Sequence, residues 1–332
     1  MENKYYFVHD NVTEIVNISF AYEISFSICF SAKSIFSNIY NIQRLYFVDE
    51  RCKRIYPKLS MKKLTNLMCL RWAFPSCCYM KYISNSIREL KANIFLNNRY
   101  TLERCNNLEA IDIKLIGRYR KTRFHIDYNN LTKLKILNET VFELYGYEYE
   151  SWKTYEDDHV DLLFYGDESC NSHGSIINMS LDCVHVVNFQ SYYFTSLKIL
   201  KLDAVVLDNS NLSHMFNLEK LILCNMYRTL TVSNLLKLTY LSLKVCKDCS
   251  VRKYMNNLLV LKITDKTCVR MGRNLNLTSL TRLLIDSYDQ KRKKLHLLFY
   301  RKFNKCKQLK DILIDEVKYD SMKDYKLLKI DC

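Results

Sequence analysis

Apolar residues recur along residues 194–290 in one frame, apolar-x-x-Leu-x-x-Leu-x-Leu, with polar and charged stretches between the copies. Phe194-Thr-Ser-Leu197-Lys-Ile-Leu200-Lys-Leu202 is followed by Met215-Phe-Asn-Leu218-Glu-Lys-Leu221-Ile-Leu223 and Leu235-Leu-Lys-Leu238-Thr-Tyr-Leu241-Ser-Leu243. Met255-Asn-Asn-Leu258-Leu-Val-Leu261-Lys-Ile263 and Leu277-Thr-Ser-Leu280-Thr-Arg-Leu283-Leu-Ile285 complete the regular series. The steps from Leu197 to Leu218, Leu238, Leu258 and Leu280 are 21, 20, 20 and 22 residues. A fixed period of this size is the signature of a repeat architecture. Less regular copies follow at Leu309-x-x-Ile312-x-Ile314 and Tyr325-x-x-Leu328-x-Ile330. Others precede at Ile42-x-x-Leu45-x-Phe47, Leu67-x-x-Leu70-x-Trp72, Ile87-x-x-Leu90, Leu108-x-x-Ile111-x-Ile113, Leu134-x-x-Leu137 and Leu181-x-x-Val184-x-Val186, with a weak one at Val160-x-x-Leu163. The frame counts about 14 units.

Within each copy the alternation Leu200-Lys-Leu202 predicts a short strand with leucine inward and lysine outward. The rest of the unit must return the chain to start the next parallel strand, by a helix or an irregular turn. One unit buries too little to stand alone, so the units fold as a stacked array. Asp208-Asn-Ser-Asn-Leu212-Ser-His-Met215-Phe216-Asn-Leu218 starts like a helix cap and carries apolar residues at helical spacing, which predicts a helical return. Residues 1–40 leave the frame; Ile18, Phe20, Tyr22, Ile24, Phe26, Ile28 and Phe30 alternate as a strand or hairpin would, and this segment is expected to cap residues 41–332. At the other end the frame runs to Ile330, which predicts an uncovered parallel edge open to pairing, and hence a dimer or a partner there.

The frame resembles the leucine-rich-repeat family, whose pattern is L-x-x-L-x-L-x-x-N/C-x-L at about 20–29 residues. The resemblance spans roughly residues 40–332. It implies an α/β leucine-rich-repeat solenoid: a curved parallel β-sheet with helices or irregular turns on the convex side. The position after the strand, where the family places asparagine, is apolar at Phe95, Ile116, Phe142, Val205 and Met226, and only Cys246 matches. The composition, rich in Lys, Asn, Ile and Tyr and poor in Gly and Pro, also resembles the leucine-rich-repeat gene families of A+T-rich large DNA viruses, insect poxviruses in particular.

Composition narrows the chemistry. The five glycines stand singly at Gly117, Gly146, Gly166, Gly174 and Gly272, whereas dinucleotide- and phosphate-cradling loops need them clustered. The 14 cysteines in 332 residues are about 4%, below the density of a stapled secreted scaffold. They are expected to be reduced core residues of an intracellular, cytoplasmic or nuclear protein, since the N-terminus lacks the pattern of a signal peptide and no apolar run is long enough to span a membrane. No catalytic signature occurs and the seven histidines share no constellation, so no enzyme, cofactor or metal site is expected. Cys246-Lys-Asp-Cys249 lacks the second ligand pair that zinc requires.

The family commonly binds partners through its concave sheet face, and the resemblance implies that use for the outward strand positions Ile199, Lys201, Lys220, Ile222, Tyr240, Ser242, Lys244, Val260, Lys262, Arg282 and Leu284. Ile199, Ile222, Tyr240, Val260 and Leu284 form a more apolar set than a solvated sheet requires. A second candidate is residues 291–310, where nine basic residues occur with no acid and apolar residues recur at helical spacing. There Lys291, Arg292, Lys293, Lys294, Arg301, Lys302 and Lys305 could meet nucleic acid or acidic lipid. The +15 formal charge agrees with such a partner, although A+T-rich codons also supply lysine. A third candidate, Glu143 to Glu168, interleaves nine acids with Tyr145, Tyr147, Tyr149, Trp152 and Tyr155 and suits a basic partner or the chain's own positive field. The leading expectation is a non-enzymatic protein-interaction module. A polyanion binder and a substrate-selecting adaptor in protein turnover are the alternatives.

Overall fold

The computed structural model describes residues 5–8, 23–26, 42–47, 64–72, 86–95, 105, 107–116, 123–127, 130–138, 160–165, 175–187, 189, 194–208, 211–226, 228–246, 249–252, 255–264, 267, 269–271, 276–285, 303, 306–314 and 317–319. The described residues form short strands throughout. They begin with β1 (Tyr5–Val8), β2 (Glu23–Phe26), β3 (Arg44–Phe47), β4 (Cys69–Trp72), β5 (Glu89–Phe95), β6 (Ala110–Ile116), β7 (Arg123–Asp127), β8 (Lys133–Asn138) and β9 (Val160–Tyr165). There follow β10 (Asn178–Asp182), β11 (Val184–Val187), β12 (Ile199–Asp203), β13 (Val206–Leu207), β14 (Lys220–Cys224), β15 (Leu230–Ser233) and β16 (Tyr240–Lys244). The last are β17 (Cys249–Arg252), β18 (Val260–Thr264), β19 (Val269–Met271), β20 (Arg282–Ile285), β21 (Asp311–Ile314) and β22 (Val317–Tyr319). The chain divides into two compact units, the first Met1–Ile176 with Leu181–Val187, the second Ile177–Ser180 with Asn188–Cys332. Both are wound as parallel β-solenoids.

In the first unit β1, β2, β3, β4, β5, β6 and β8 are parallel neighbours in that order. Their register sets Leu45, Leu70, Leu90, Ile111 and Leu134 one above another, all nearly sealed from solvent. The alternation predicted near residues 18–30 is realised at Glu23–Phe26 as a parallel strand beside β3. A second sheet joins β7, β9 and β11, also parallel. This corrects three of the frames. Leu134, not Leu137, stacks beneath Ile111, and Leu137 is only half-buried. Val160–Leu163 and Val184–Val186 belong to the second sheet, while Met179 and Leu181 supply the buried positions of β10. A two-residue alternation reads alike on either sheet of a coil, so the pattern alone could not separate them.

In the second unit β12, β14, β16, β18, β20 and β21 are parallel in that order. Leu200, Leu221, Leu241, Leu261, Leu283 and Ile312 form one interior row, at 0–2% exposure. Leu202, Leu223, Leu243, Ile263 and Ile285 form the next. A second sheet of β15, β17 and β19 faces the same coils, again parallel. Burying one large aliphatic side chain contributes about 1.5–3 kcal/mol. Each rung buries several against both neighbours, which is why the leucine frame holds the stack.

The helical return predicted at Asp208–Leu218 is not found in its described residues; the helix expected across 291–310 lies largely outside the described residues. Among the described residues only Phe194 and Phe303 have helical backbone, and the returns are tight turns and the short second-sheet strands. Leu212, Met215 and Leu218 are fully buried, and the amides of Met215 and Leu218 donate to the carbonyls three residues back, at 3.2 and 3.0 Å. The same closure recurs at Leu197 to Phe194, Leu238 to Leu235, Leu258 to Met255 and Leu280 to Leu277. An α-helix needs apolar residues at alternating threes and fours. A run of strict threes over seven residues instead makes successive turns, too short to overcome helix nucleation.

Leaving the main strand, the chain turns a corner on a left-handed residue: Cys183 (φ 53°), Ala204 (φ 49°), Asn225 (φ 50°) and Val245 (φ 51°). None is glycine. In the second unit the corner amides continue the ladder, Ala204 donating to Cys224 O, Asn225 to Lys244 O and Val245 to Thr264 O, at 3.0, 2.8 and 3.3 Å. Downstream, β22 pairs antiparallel with β21, Ile314 opposite Val317. The edge after β21 is therefore covered by a reversed strand; the expected open edge, at Tyr325–Ile330, lies outside the described residues.

Candidate functional site

The outward positions of the second unit's main sheet are brought together as predicted strand by strand, but in a different grouping. Register gives one row of Ile199, Lys220, Tyr240, Val260, Arg282 and Asp311. The next row is Lys201, Ile222, Ser242, Lys262, Leu284 and Leu313. Ile222 and Leu284 thus stand one row away from Ile199, Tyr240 and Val260. The apolar set mixed first and second outward positions of the strands, which are two residues apart on one face.

Each side chain has a physical setting. Ile199 is 39% exposed, an unusual state for isoleucine on a strand. Lys220 places its ammonium 5.0 Å from the Tyr240 ring centroid, within cation–π range. Arg282 Nε donates to Asp311 Oδ2 at 2.7 Å. Asn225 Nδ2 donates to Asp203 Oδ1 at 2.7 Å, so the two aspartates described beside this face each have a partner. Lys201 and Lys262 have no ion-pair partner among the described residues. Ser242, between Ile222 and Lys262 in its row, is 7% exposed. It alternates with inward Leu241 and Leu243, so its hydroxyl lies on the outward face, sunk among larger neighbours.

The first unit treats its outward charges differently. Asp112 stands between Lys91 and Lys135, at 3.6 and 3.2 Å, so its cations are bridged within the sheet. On the second sheet His185 Nδ1 and Asp161 Oδ1 lie 3.0 Å apart on adjacent strands.

A second feature escaped the frame because it lies on the corner before the strand. The residue ahead of the buried Leu or Ile is Asn66, Ser86, Asn107, Asn130, Ser175, Ser196, Asn217, Asn257 or Ser279, with Lys237 as the exception in the regular series. Ser86 Oγ donates to Leu67 O and Ser175 Oγ to Leu131 O, at 2.8 and 2.7 Å. Asn217 Nδ2 donates to Thr195 O and Asn257 Nδ2 to Leu236 O, at 2.8 and 2.7 Å. The polar ladder missing after the strand stands before it. The recurring Asn-Leu and Ser-Leu pairs were the signal in the sequence.

Of the described cysteines, Cys69, Cys105, Cys183, Cys246, Cys249 and Cys306 are buried and Cys224 is half-buried, and none forms a disulfide among the described residues. Burial pushes the Cys246 thiol up to about 12, and those of Cys105 and Cys306 up to about 11. Cys69 is raised by burial and then by the Glu89 charge. Cys246 Sγ lies 3.6 Å from both Leu223 O and Lys244 O, either of which can accept its single proton, while its amide donates to Thr267 Oγ1 at 3.2 Å. Thr267 Oγ1 in turn bonds Thr264 O. The Cys-x-x-Cys thiols are structural in this setting. Among the described residues no group of three or more His, Cys, Asp or Glu converges as a metal site would, and no helix is long and apolar enough to cross a membrane.

Lys291, Arg292, Lys293, Lys294, Arg301, Lys302 and Lys305 lie outside the described residues; within that candidate segment Phe303 and Cys306 are buried and Lys307 and Lys310 exposed. Of Glu143 to Glu168 only β9 is described. No family model matches the chain, and no curated protein matches it.

Proposed function

We propose that this chain is a non-enzymatic, leucine-rich-repeat type interaction module that holds a protein partner on the outward main-sheet face of its second unit. On this reading it works inside the cell. The observation that carries the reading is the composition of that face: half-exposed Ile199, Ile222, Tyr240, Val260 and Leu284 interspersed with lysines, where a sheet facing only water would be polar. Interface cores characteristically combine such apolar and aromatic anchors with a charged surround.

The test is capture of partners from the native host cell by wild type and by Tyr240→Ala, Lys262→Ala and Arg282→Ala. Loss of a specific captured protein with any of these, and retention when lysines across 291–305 become glutamine, supports the reading. The opposite pattern, with salt-sensitive nucleic-acid binding lost in the glutamine variant, would assign the function to the basic segment instead.

A further inference from the structure

We infer that the partner presents an extended acidic segment, with two carboxylates four positions apart and an apolar side chain midway, lying across the rungs from Lys201 to Lys262. The inference rests on the interaction-module reading and adds the chemistry of the ligand. Lys201 and Lys262 share one row and are separated by Ile222 and Ser242. Three rung spacings of about 4.8 Å put their attachment points about 14 Å apart, and an extended peptide covers about 13 Å in four residues. Alternate residues of such a peptide point the same way, so the first and fifth carboxylates reach the two lysines while the third side chain falls beside Ile222.

Three observations select this ligand. Neither lysine has an anion within the described residues, whereas the first unit bridges Lys91 and Lys135 through Asp112. Of the described carboxylates beside this face, Asp311 is paired with Arg282 and Asp203 accepts from the Asn225 amide. Ser242 stands on this face between Ile222 and Lys262, where its hydroxyl can meet a peptide group crossing the row. A phosphodiester strand would also match the lysines, and competition by single-stranded DNA is the outcome that would identify it.

The probe is a short fluorescein-labelled peptide with two aspartates four positions apart and a leucine midway, titrated with full-length protein by anisotropy. Lys201→Met with Lys262→Met keeps the apolar stems and removes both charges. That double variant should weaken binding at least about fivefold, as should replacing the peptide's aspartates by lysines, while the off-face Lys307→Met does not. A smaller loss, an equal loss in Lys307→Met, or more effective competition by single-stranded DNA than by unlabelled peptide overturns the inference. Native capture run in parallel separates the two readings. If Tyr240→Ala abolishes capture and the double methionine variant does not, the face binds a partner that is not acidic. If neither affects capture, the face is not the site.

Discussion

The Asn217 side-chain amide donates to the Thr195 backbone carbonyl of the preceding coil at 2.8 Å, and Asn257 repeats the bond to Leu236 O. Each turn thereby ties its neighbour through a side chain that stands outside the buried rows. Asn217→Ala and Asn257→Ala should each lower stability by about 1 kcal/mol, since a lost hydrogen bond costs on that order. Urea unfolding should show the effect against the exposed control Lys307→Ala; equal midpoints would refute it.

Val245 holds φ 51° at a corner where Asn225 stands one coil earlier. A β-branched residue in the left-handed region costs about 1–2 kcal/mol, and asparagine tolerates it. Val245→Asn should therefore raise the urea midpoint, by about 1 kcal/mol or less in stability. Val245→Gly relieves the same clash but frees the unfolded chain, so it should gain less. A lowered midpoint in the asparagine variant would show that the valine's contacts outweigh its backbone.

Leu241 is sealed between Leu221 and Leu261. Leu241→Ala should cost about 2–5 kcal/mol through lost burial and the void left in the stack. The exposed Leu236 supplies the comparison, and Leu236→Ala should cost well under 1 kcal/mol, roughly within the range of surface changes.

The Cys246 thiol, pushed up to about 12 by burial, gives a pH dependence of defined sign. Its folded pKa lies above the unfolded one, so the folded state keeps the proton that the unfolded state loses. The contribution is complete below pH of about 9 and falls by about 1.4 kcal/mol per pH unit up to about 12. Cys246→Ala should flatten the alkaline limb of the stability profile. A profile unchanged between wild type and variant would mean that Cys246 does not titrate on unfolding.

The leucine frame made the second unit legible almost to the residue, because Leu197, Leu200 and Leu202 and their counterparts each meet one fixed demand of stacking. The returns were less so. Leu212, Met215 and Leu218 satisfy a helical period only loosely, and the short coil decides for turns. Upstream, Val160–Leu163 and Val184–Val186 carry the same alternation as the main sheet, and only pairing reveals that they belong to the other one. The outward set was found as residues but not as rows, since grouping depends on register. Ser242 was named there for its position, and its burial among Tyr240, Lys262 and Ile222 could not be read from sequence.

Alignment of the rungs does not depend on how long each coil is. Ile199 meets Lys220, Tyr240, Val260, Arg282 and Asp311 although the spacing between successive partners runs from 20 to 29 residues. Variation in length is taken up on the return path, and the outward side behaves as a lattice of cells that can be rewritten one at a time. A lineage can thus retarget such a surface by single substitutions, leaving the hydrophobic spine that carries it untouched.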